Sequence, residues 1–246
     1  MKLELDFEIE NNILTLPTAH SHIIQSFIYN NLYEDYRKFL YEKGYEYKDR
    51  TFKLFTFSRI IGDYSIYRKD HEIRFNDNFK IYINSPSDRF CSNLLNNLIK
   101  NTNLRIFDSK VKLKNFNLSE INIEKKPLKL KTLSPITIYS TFKKPNNKKY
   151  TKYYEPGSDL YEDLISSNLQ KKYRAFKNEN ASERNITIKK LNDGKMAVIR
   201  YKGFIIKGWL GMLEVNGPTE LLKMGVEAGY GGKNSQGCGY VEIIRS

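Results

Sequence analysis

The stretch FKIYINSPSDRFCSNLLNNLI, residues 79–99, decides the fold of the first half of the chain. Apolar residues alternate over 79–83, and this pattern predicts a half-buried strand. Ser87 is placed to cap the helix that follows, whose apolar positions recur every three or four residues. The stretch therefore predicts a strand that leads directly into an amphipathic helix.

The sequence on either side continues this alternation of strands and helices. Residues 3–9 alternate between apolar and charged and predict a strand, while one apolar helical face runs over 23–40 as a single helix that ends at Gly44. Further strands are expected at 52–57, 72–75 and 104–118, with 72–75 and 79–83 forming a hairpin through Asn76-Asp77-Asn78. This order is the βαββαβ plan of a ferredoxin-like domain.

The second half follows the same order of elements, although no residue-level repeat relates the two halves. We therefore predict an α+β protein of two tandem ferredoxin-like (RRM-like) βαββαβ domains, over residues 1–120 and 125–246. A chain of 246 residues is long enough for two domains of ordinary size.

The composition indicates an anionic partner. The formal net charge is +13, which favours nucleic acid over a membrane surface as the partner, while a basic surface that is only solvated is the alternative. Nine lysines and no Asp or Glu lie between 125 and 152, with aromatic residues among them. Lysines neutralise phosphates and aromatic rings stack on bases, so we expect RNA contacts there, while a solvated and partly disordered linker is the alternative. The lysines selected as RNA-binding are Lys129, Lys131, Lys143 and Lys144.

Other sequence patterns narrow the class of protein further. The first residues lack a signal-peptide pattern, and no run approaches the ~20 apolar residues that span a bilayer, so we expect a soluble, cytoplasmic protein without a membrane partner. Cys91 and Cys238 fit no metal-ligand spacing and are expected to be free thiols. We expect no metal and no cofactor.

A glycine-rich loop lies near the end of the chain, at GVEAGYGGKNSQGCG, residues 225–239. A short helix is expected before it and a strand after it. Six of the 14 glycines fall in this loop, and glycine lets the backbone approach a phosphate closely. Neither the Walker pattern nor GxGxxG fits, so these two nucleotide-binding motifs are excluded, and a glycine-rich turn without a ligand remains the alternative.

Three stretches resemble the CRISPR repeat endoribonucleases, the family that cuts precursor CRISPR RNA. They are LPTAHSHIIQSFIYN at 16–30, FKLFTFS at 52–58 and the glycine loop, of which the last is the most specific. The resemblance spans nearly the whole chain. It implies RNA bound on basic surfaces and between two ferredoxin-like domains, and metal-independent cleavage that leaves a 2′,3′-cyclic phosphate and a 5′-hydroxyl.

The resemblance also implies the partners and the RNA-binding residues. The expected partners are CRISPR repeat RNA, as precursor crRNA, and a CRISPR effector complex, while both a monomer and a homodimer fit the sequence. Together with the four lysines, the residues expected to bind RNA are Arg59, Gly229, Gly231, Gly232, Lys233, Asn234, Ser235 and Gly237.

Cleavage by a 2′-OH needs one group to accept its proton, one to protonate the leaving oxygen and a cation near the phosphate. His20 and His22, at the start of the first helix, suit the proton transfers because histidine titrates near pH 6.5. Capping or packing at the helix start is their structural alternative. The resemblance places a catalytic tyrosine on Tyr29 and a catalytic lysine on Lys53.

The family's catalytic histidine falls on Tyr41, and this is a departure from its pattern. A neutral phenol is a poor base near pH 7. Three interpretations follow: His20 or His22 replaces the missing histidine, Tyr41 acts with a lowered pKa, or the protein binds repeat RNA without cutting it. Packing of Tyr29 and Tyr41 on the apolar helix face is the structural alternative for both tyrosines. A general RRM-type RNA-binding protein is a weaker fourth interpretation.

Overall fold

The computed structural model describes residues 1–10, 13–143, 145 and 147–244. Its first half contains three helices and ten strands within the described residues. They are β1 (Lys2–Ile9), β2 (Leu14–Pro17), α1 (Ser21–Asn30), α2 (Glu34–Glu42), β3 (Tyr45–Tyr47), β4 (Arg50–Phe52), β5 (Thr56–Phe57), β6 (Tyr64–Tyr67), β7 (Glu72–Phe75), β8 (Phe79–Asn84), α3 (Asp88–Lys100), β9 (Arg105–Ile106) and β10 (Ser109–Ser119).

The main sheet of the first half has the strand order β5-β8-β1-β10-β9, with antiparallel pairing throughout. In chain order, β1, β5, β8 and β10 are the four strands of the βαββαβ plan. Alternate residues of β1 are buried, and its Phe7 packs edge-on against Phe27 of α1 with ring centroids 5.6 Å apart. One face of the sheet is therefore covered by helices, as the apolar periodicities predict.

The second half repeats this plan with two hairpins inserted. Its elements are β11 (Leu128–Thr132), β12 (Ile138–Lys143), β13 (Lys149–Tyr154), α4 (Tyr161–Lys177), β14 (Thr187–Lys190), β15 (Lys195–Tyr201), β16 (Phe204–Leu210), β17 (Met212–Asn216), α5 (Thr219–Ala228), a 3₁₀ turn (Asn234–Gln236) and β18 (Val241–Ile243). The sheet order β14-β17-β11-β18 is that of the first half, while β12–β13 and β15–β16 form separate hairpins. The α+β, tandem ferredoxin-like prediction is confirmed.

Three predicted elements of the first half are wrong in detail. The predicted single helix is two, because the Asn31 side-chain amide donates to the Phe27 carbonyl at 2.9 Å and closes α1 before α2 begins. β7 and β8 do not form a hairpin, since β7 pairs with β2 and β6 in a separate sheet. The strand expected at 52–57 is interrupted at Leu54, which has a φ of 50°.

Each half has its own cluster of buried apolar side chains, and the halves touch directly. Leu54 belongs to the first half by sequence but is buried in the cluster of the second. The Asn84 side-chain amide donates to the Val226 carbonyl of α5 at 3.0 Å. The limits of the two domains, 1–120 and 125–246, stay a prediction. Among the described residues, none of the helices has the length and apolar character needed to cross a membrane.

Candidate active site

His20 directly precedes the first residue of α1, with Nδ1 3.0 Å from the Pro17 carbonyl oxygen. Because a carbonyl only accepts hydrogen bonds, the ring proton of the neutral form belongs on Nδ1, and Nε2 is left as the acceptor. Burial lowers the pKa of His20, and the charges of Arg59 and His22 lower it further, against the opposing effect of the Pro17 carbonyl. His20 is therefore suited to accept a proton near neutral pH.

His22 lies one residue into the sequence of α1 and meets the second half of the chain. Its ring is perpendicular to that of Tyr201, with centroids 6.4 Å apart, and its Nδ1 is buried without a hydrogen-bond partner among the described residues. The Tyr201 hydroxyl donates to Oε1 of Gln25, on the same helix. Sequence reasoning missed Tyr201, because only the folded chain brings β15 against α1.

Tyr29 lies near the end of α1 and packs edge-on against Phe55, with ring centroids 5.8 Å apart. Burial raises its pKa, and the neighbouring phenols of Tyr201 and Tyr41 raise it further. Tyr29 consequently keeps its proton near neutral pH and can donate a hydrogen bond, but it is not a base. The predicted packing role and the predicted site role are both compatible with this position.

Lys53 is used partly in the structure of α2. Its Nζ donates to the backbone carbonyl of Leu40 and, at 3.2 Å, to that of Tyr41, at the end of the helix where cations are favourable. Burial lowers the pKa of Lys53, and Glu46 opposes this effect. The Tyr41 side chain is 79% exposed, so the alternative that Tyr41 packs on the apolar helix face is wrong. Lys53 contacts the backbone carbonyl of Tyr41.

The glycine loop is folded back on itself and tied to the second half by buried contacts. Gly232 N–H donates to the Thr137 carbonyl at 2.8 Å, and Gly239 N–H donates to that of Pro135 at 2.8 Å. The buried Lys172 of α4 donates to the loop from beneath. Lys233 has a left-handed backbone, with φ 60° and ψ 28°, and starts the 3₁₀ turn.

This loop lies against the beginning of α1, so the structure brings together two stretches from opposite ends of the chain. The Thr56 hydroxyl donates to the Cys238 carbonyl at 2.9 Å. A Cβ placed on Gly237 would lie 3.1 Å from the Phe57 ring and 3.4 Å from Cβ of Ser21, which follows His20. The loop thus lies next to Ser21, the residue between His20 and His22.

A cleft of about 560 Å³ opens between the halves beside the loop. Its walls carry Lys53 and Arg50 from the first half, and Lys171 and Lys233 from the second. The Lys233 ammonium lies over the ring of Tyr139, 5.8 Å from its centroid. The cleft thus combines cationic side chains with an aromatic ring, a combination suited to a nucleic-acid strand.

The lysines predicted to bind RNA between residues 125 and 152 do not form one surface. Lys129 and Lys131 are exposed on β11, and Lys129 lines a different depression, of about 990 Å³, at the other edge of the contact between the halves. Lys143 is exposed at the end of β12, where the neighbouring Phe142 stacks on Tyr150 with centroids 5.3 Å apart. Lys144 lies outside the described residues.

Tandem ferredoxin-like halves, with acid–base side chains and a glycine loop beside a basic cleft, define a class of RNA-handling proteins. Two family models match the chain: CRISPR-associated protein Cas6, N-terminal, over residues 15–122, and CRISPR associated protein Cas6, C-terminal, over residues 117–243. The protein belongs to the CRISPR-associated Cas6 family.

Curated relatives and solved structures agree with this family. The CRISPR-associated endoribonuclease Cas6 1 of Methanocaldococcus jannaschii is 28% identical over 250 residues, covering 98% of this chain and 92% of that protein. The CRISPR-associated endoribonuclease Cas6 of Pyrococcus furiosus is 26% identical over 250 residues, covering 96% and 86%. A solved CRISPR associated protein Cas6 has a TM-score of 0.81 at 27% identity, covering 100% of this chain and 99% of that one. A Cas6-related protein from Pyrococcus furiosus shares the fold, with a TM-score of 0.85 at 21% identity and coverage of 100% and 99%.

Proposed function

We propose that this protein is an endoribonuclease that binds CRISPR repeat RNA and cuts precursor crRNA. The observation that carries the proposal is the contact between the glycine loop and the histidine-bearing start of α1. This contact places the start of α1 against the glycine loop, whose Lys233 lines the cleft together with Lys53. The names of the curated relatives, both CRISPR-associated endoribonucleases, support the same activity.

The proposed cut proceeds without a metal ion. The 2′-OH attacks the adjacent phosphorus and gives its proton to Nε2 of His20. The bond from phosphorus to the 5′-oxygen breaks, and His22 in its protonated form gives a proton to that oxygen. The products are a 2′,3′-cyclic phosphate and a 5′-hydroxyl. Tyr29 and Lys53 supply an O–H and an ammonium donor for the phosphoryl oxygens.

In this proposal RNA is held mainly by the glycine loop and the basic cleft. The side chains of Lys233 and Ser235 contact phosphates and riboses. Asn234 and the loop glycines, whose polar groups are bonded within the second half, let the RNA backbone approach closely and keep the loop in shape. The left-handed Lys233 followed by a turn is a backbone geometry that presents successive N–H groups to an anion. Arg59, which raises the positive charge around His20, contacts the same strand.

The first test is cleavage of the repeat RNA encoded near this gene, with EDTA in excess. We expect full activity of the wild type in EDTA and a loss of at least about 10³-fold in the His20→Ala, His22→Ala double variant, since each proton transfer contributes about 10²–10⁴. A His71→Asn variant is the control: the His71 side chain is exposed, and asparagine tolerates the left-handed backbone at this position, with φ 54°. A requirement for Mg²⁺ would contradict the metal-independent mechanism.

Tyr41→Phe separates the proposed mechanism from one that uses the family's histidine position. Because the Tyr41 side chain is largely exposed and its phenol has no contact with Lys53, we expect the single-turnover rate to change by less than about threefold. A loss of the rate comparable to that of the double histidine variant would instead assign the base to Tyr41.

The second candidate function is a non-catalytic subunit that holds repeat RNA in a CRISPR ribonucleoprotein. The tyrosine at position 41, where the family has its histidine, favours it. Tight binding of the repeat with no cut strand after long incubation would establish this function and reject cleavage. Equal affinity for random RNA would instead indicate a general RRM-type protein.

A further inference from the structure

Lys172 is a buried cation that the proposed cleavage does not use. It lies on α4 with 2% of its surface exposed. Its Nζ donates to the carbonyl of Gly229 at 2.6 Å, to the carbonyl of Gly231 at 2.8 Å and to Oδ1 of Asn234 at 2.7 Å. An ammonium group has three N–H donors, so all of them are spent on the glycine loop.

The three N–H donors of Lys172 all have acceptors, but no negatively charged side chain among the described residues balances its positive charge. None of the described carboxylates forms an ion pair with it, although a buried charge without a counter-charge is costly. Burial lowers the pKa of Lys172 to about 7. α4 packs against α5, β3, β4 and β12. The other titratable side chains on these elements are Tyr161, Glu162, Asp163, Lys171, Tyr173, Arg174 and Lys177 on α4, Glu220, Lys223 and Glu227 on α5, Tyr45, Glu46 and Tyr47 on β3, Arg50 on β4, and Tyr139 and Lys143 on β12. The cleft adds Lys53 and Lys233.

The wall of the cleft beside Lys172 also contains a polar atom without a hydrogen-bond partner. Asn168, one helical turn before Lys172, lines the same cleft, and its Oδ1 is buried without a partner among the described residues. The cationic groups that share this cleft are Arg50, Lys53, Lys171 and Lys233. A bound phosphodiester would supply both the missing negative charge and, through its ribose hydroxyl, a donor for Asn168.

We infer that Lys172 is a positioning residue for RNA: it holds the glycine loop in its RNA-binding shape, and a phosphodiester in the cleft stabilises its ammonium form. This inference rests on the proposed function. If bound RNA raises the affinity of Lys172 for its proton, protonation of Lys172 must raise the affinity for RNA by the same factor, because the two binding events are linked.

The test compares Lys172→Met with Lys177→Met, which removes an exposed lysine from the same helix. Single-turnover cleavage of the repeat gives the half-saturating protein concentration and the maximal rate. At pH 6.5 we expect Lys172→Met to raise the half-saturating concentration at least tenfold, with the maximal rate within threefold. The difference from the wild type should shrink towards pH 9, where the wild-type lysine is also neutral. Amides of residues 229–239 should exchange with solvent faster in this variant.

Calorimetry on the wild type keeps the inference testable even if Lys172→Met does not fold, because absence of proton uptake contradicts it. Titration of repeat RNA at pH 8, in buffers of different ionisation enthalpy, measures proton uptake on binding. We expect uptake in the wild type and in Lys177→Met. No uptake at pH 8, or an unchanged half-saturating concentration with unchanged amide exchange in a folded Lys172→Met, overturns the inference. Failure of the wild type to bind the repeat at all would reject the proposed function instead.

Discussion

His20 shows how neighbouring groups set the protonation of a single residue. Burial, Arg59 and His22 all disfavour the charged imidazolium, while the Pro17 carbonyl fixes the proton on Nδ1. The lowered pKa leaves the ring neutral at pH 7, so the base form is present above that pKa and is lost as the pH falls through it.

Arg59→Gln tests this electrostatic control. Removal of the positive charge makes protonation of His20 easier, so the pKa of His20 rises. The acid limb of the plot of cleavage rate against pH, where the rate falls as His20 is protonated, therefore moves to higher pH. Single-turnover rates at saturating protein, measured between pH 4.5 and 8, report the position of the limb. Arg68→Gln, at an exposed turn, should leave the limb in place. An unmoved or lowered limb in Arg59→Gln would show that His20 is not the titrating base.

Among the individual residues of the candidate site, the sequence identifies some but not all. His20 and His22 stand out because the chain has three histidines and two of them start a helix. Tyr201 and Lys172 could not be found that way, since neither carries a motif. Their significance comes from the packing of β15 against α1 and of α4 against the glycine loop.

The glycine loop is an element whose shape depends on backbone conformations open mainly to glycine. Gly239 has a φ of 79°, and a Cβ there would collide with the Tyr230 carbonyl and the Asn234 side chain. Gly203 has a similar φ of 83°, but a Cβ there meets nothing within 4 Å. The two positions therefore share the conformational strain and differ in the collision.

We predict that Gly239→Ala destabilises the protein by about 3 kcal/mol or more, and Gly203→Ala by about 1 kcal/mol. Urea denaturation followed by tryptophan fluorescence measures both. Repeat RNA affinity should fall only in Gly239→Ala. Equal losses of stability in the two variants would mean that the loop relaxes around the added methyl group and that its packing is less tight than the structure shows.

The sequence predicted which elements form more reliably than which elements pair. Apolar periodicity reports which face of a segment is buried, and β7 and β8 both show the expected alternation. Apolar periodicity carries no information about the partner strand, so the hairpin predicted from Asn76-Asp77-Asn78 is wrong. The break between α1 and α2 depends on one hydrogen bond from Asn31, which the continuous apolar face conceals.

At the scale of the whole molecule, the two halves have one strand order but carry their hairpins at different places. In the second half, β12–β13 and β15–β16 extend from the same plan, and the Tyr153 hydroxyl joins them by donating to the Ile205 carbonyl at 3.0 Å. The hairpins therefore extend the basic surface beyond the cleft, with exposed lysines and aromatic rings on β12 and β13.

The net charge of +13 predicts that binding to repeat RNA weakens steeply with salt, through release of counterions from the phosphates. For single-stranded RNA each neutralised phosphate contributes about 0.7 to the slope of log affinity against log salt. The exposed Lys143, Lys149 and Lys152 lie on the β12–β13 hairpin, so their joint replacement by Gln should reduce the slope by about 2.

The matched control replaces three exposed lysines of the first half, Lys38, Lys69 and Lys100, and removes the same net charge. If both triple variants lower the slope equally, the hairpin acts only through the overall field of the protein. If only the hairpin variant lowers it, the hairpin contacts phosphates directly, and the RNA path runs from the cleft across β12 and β13.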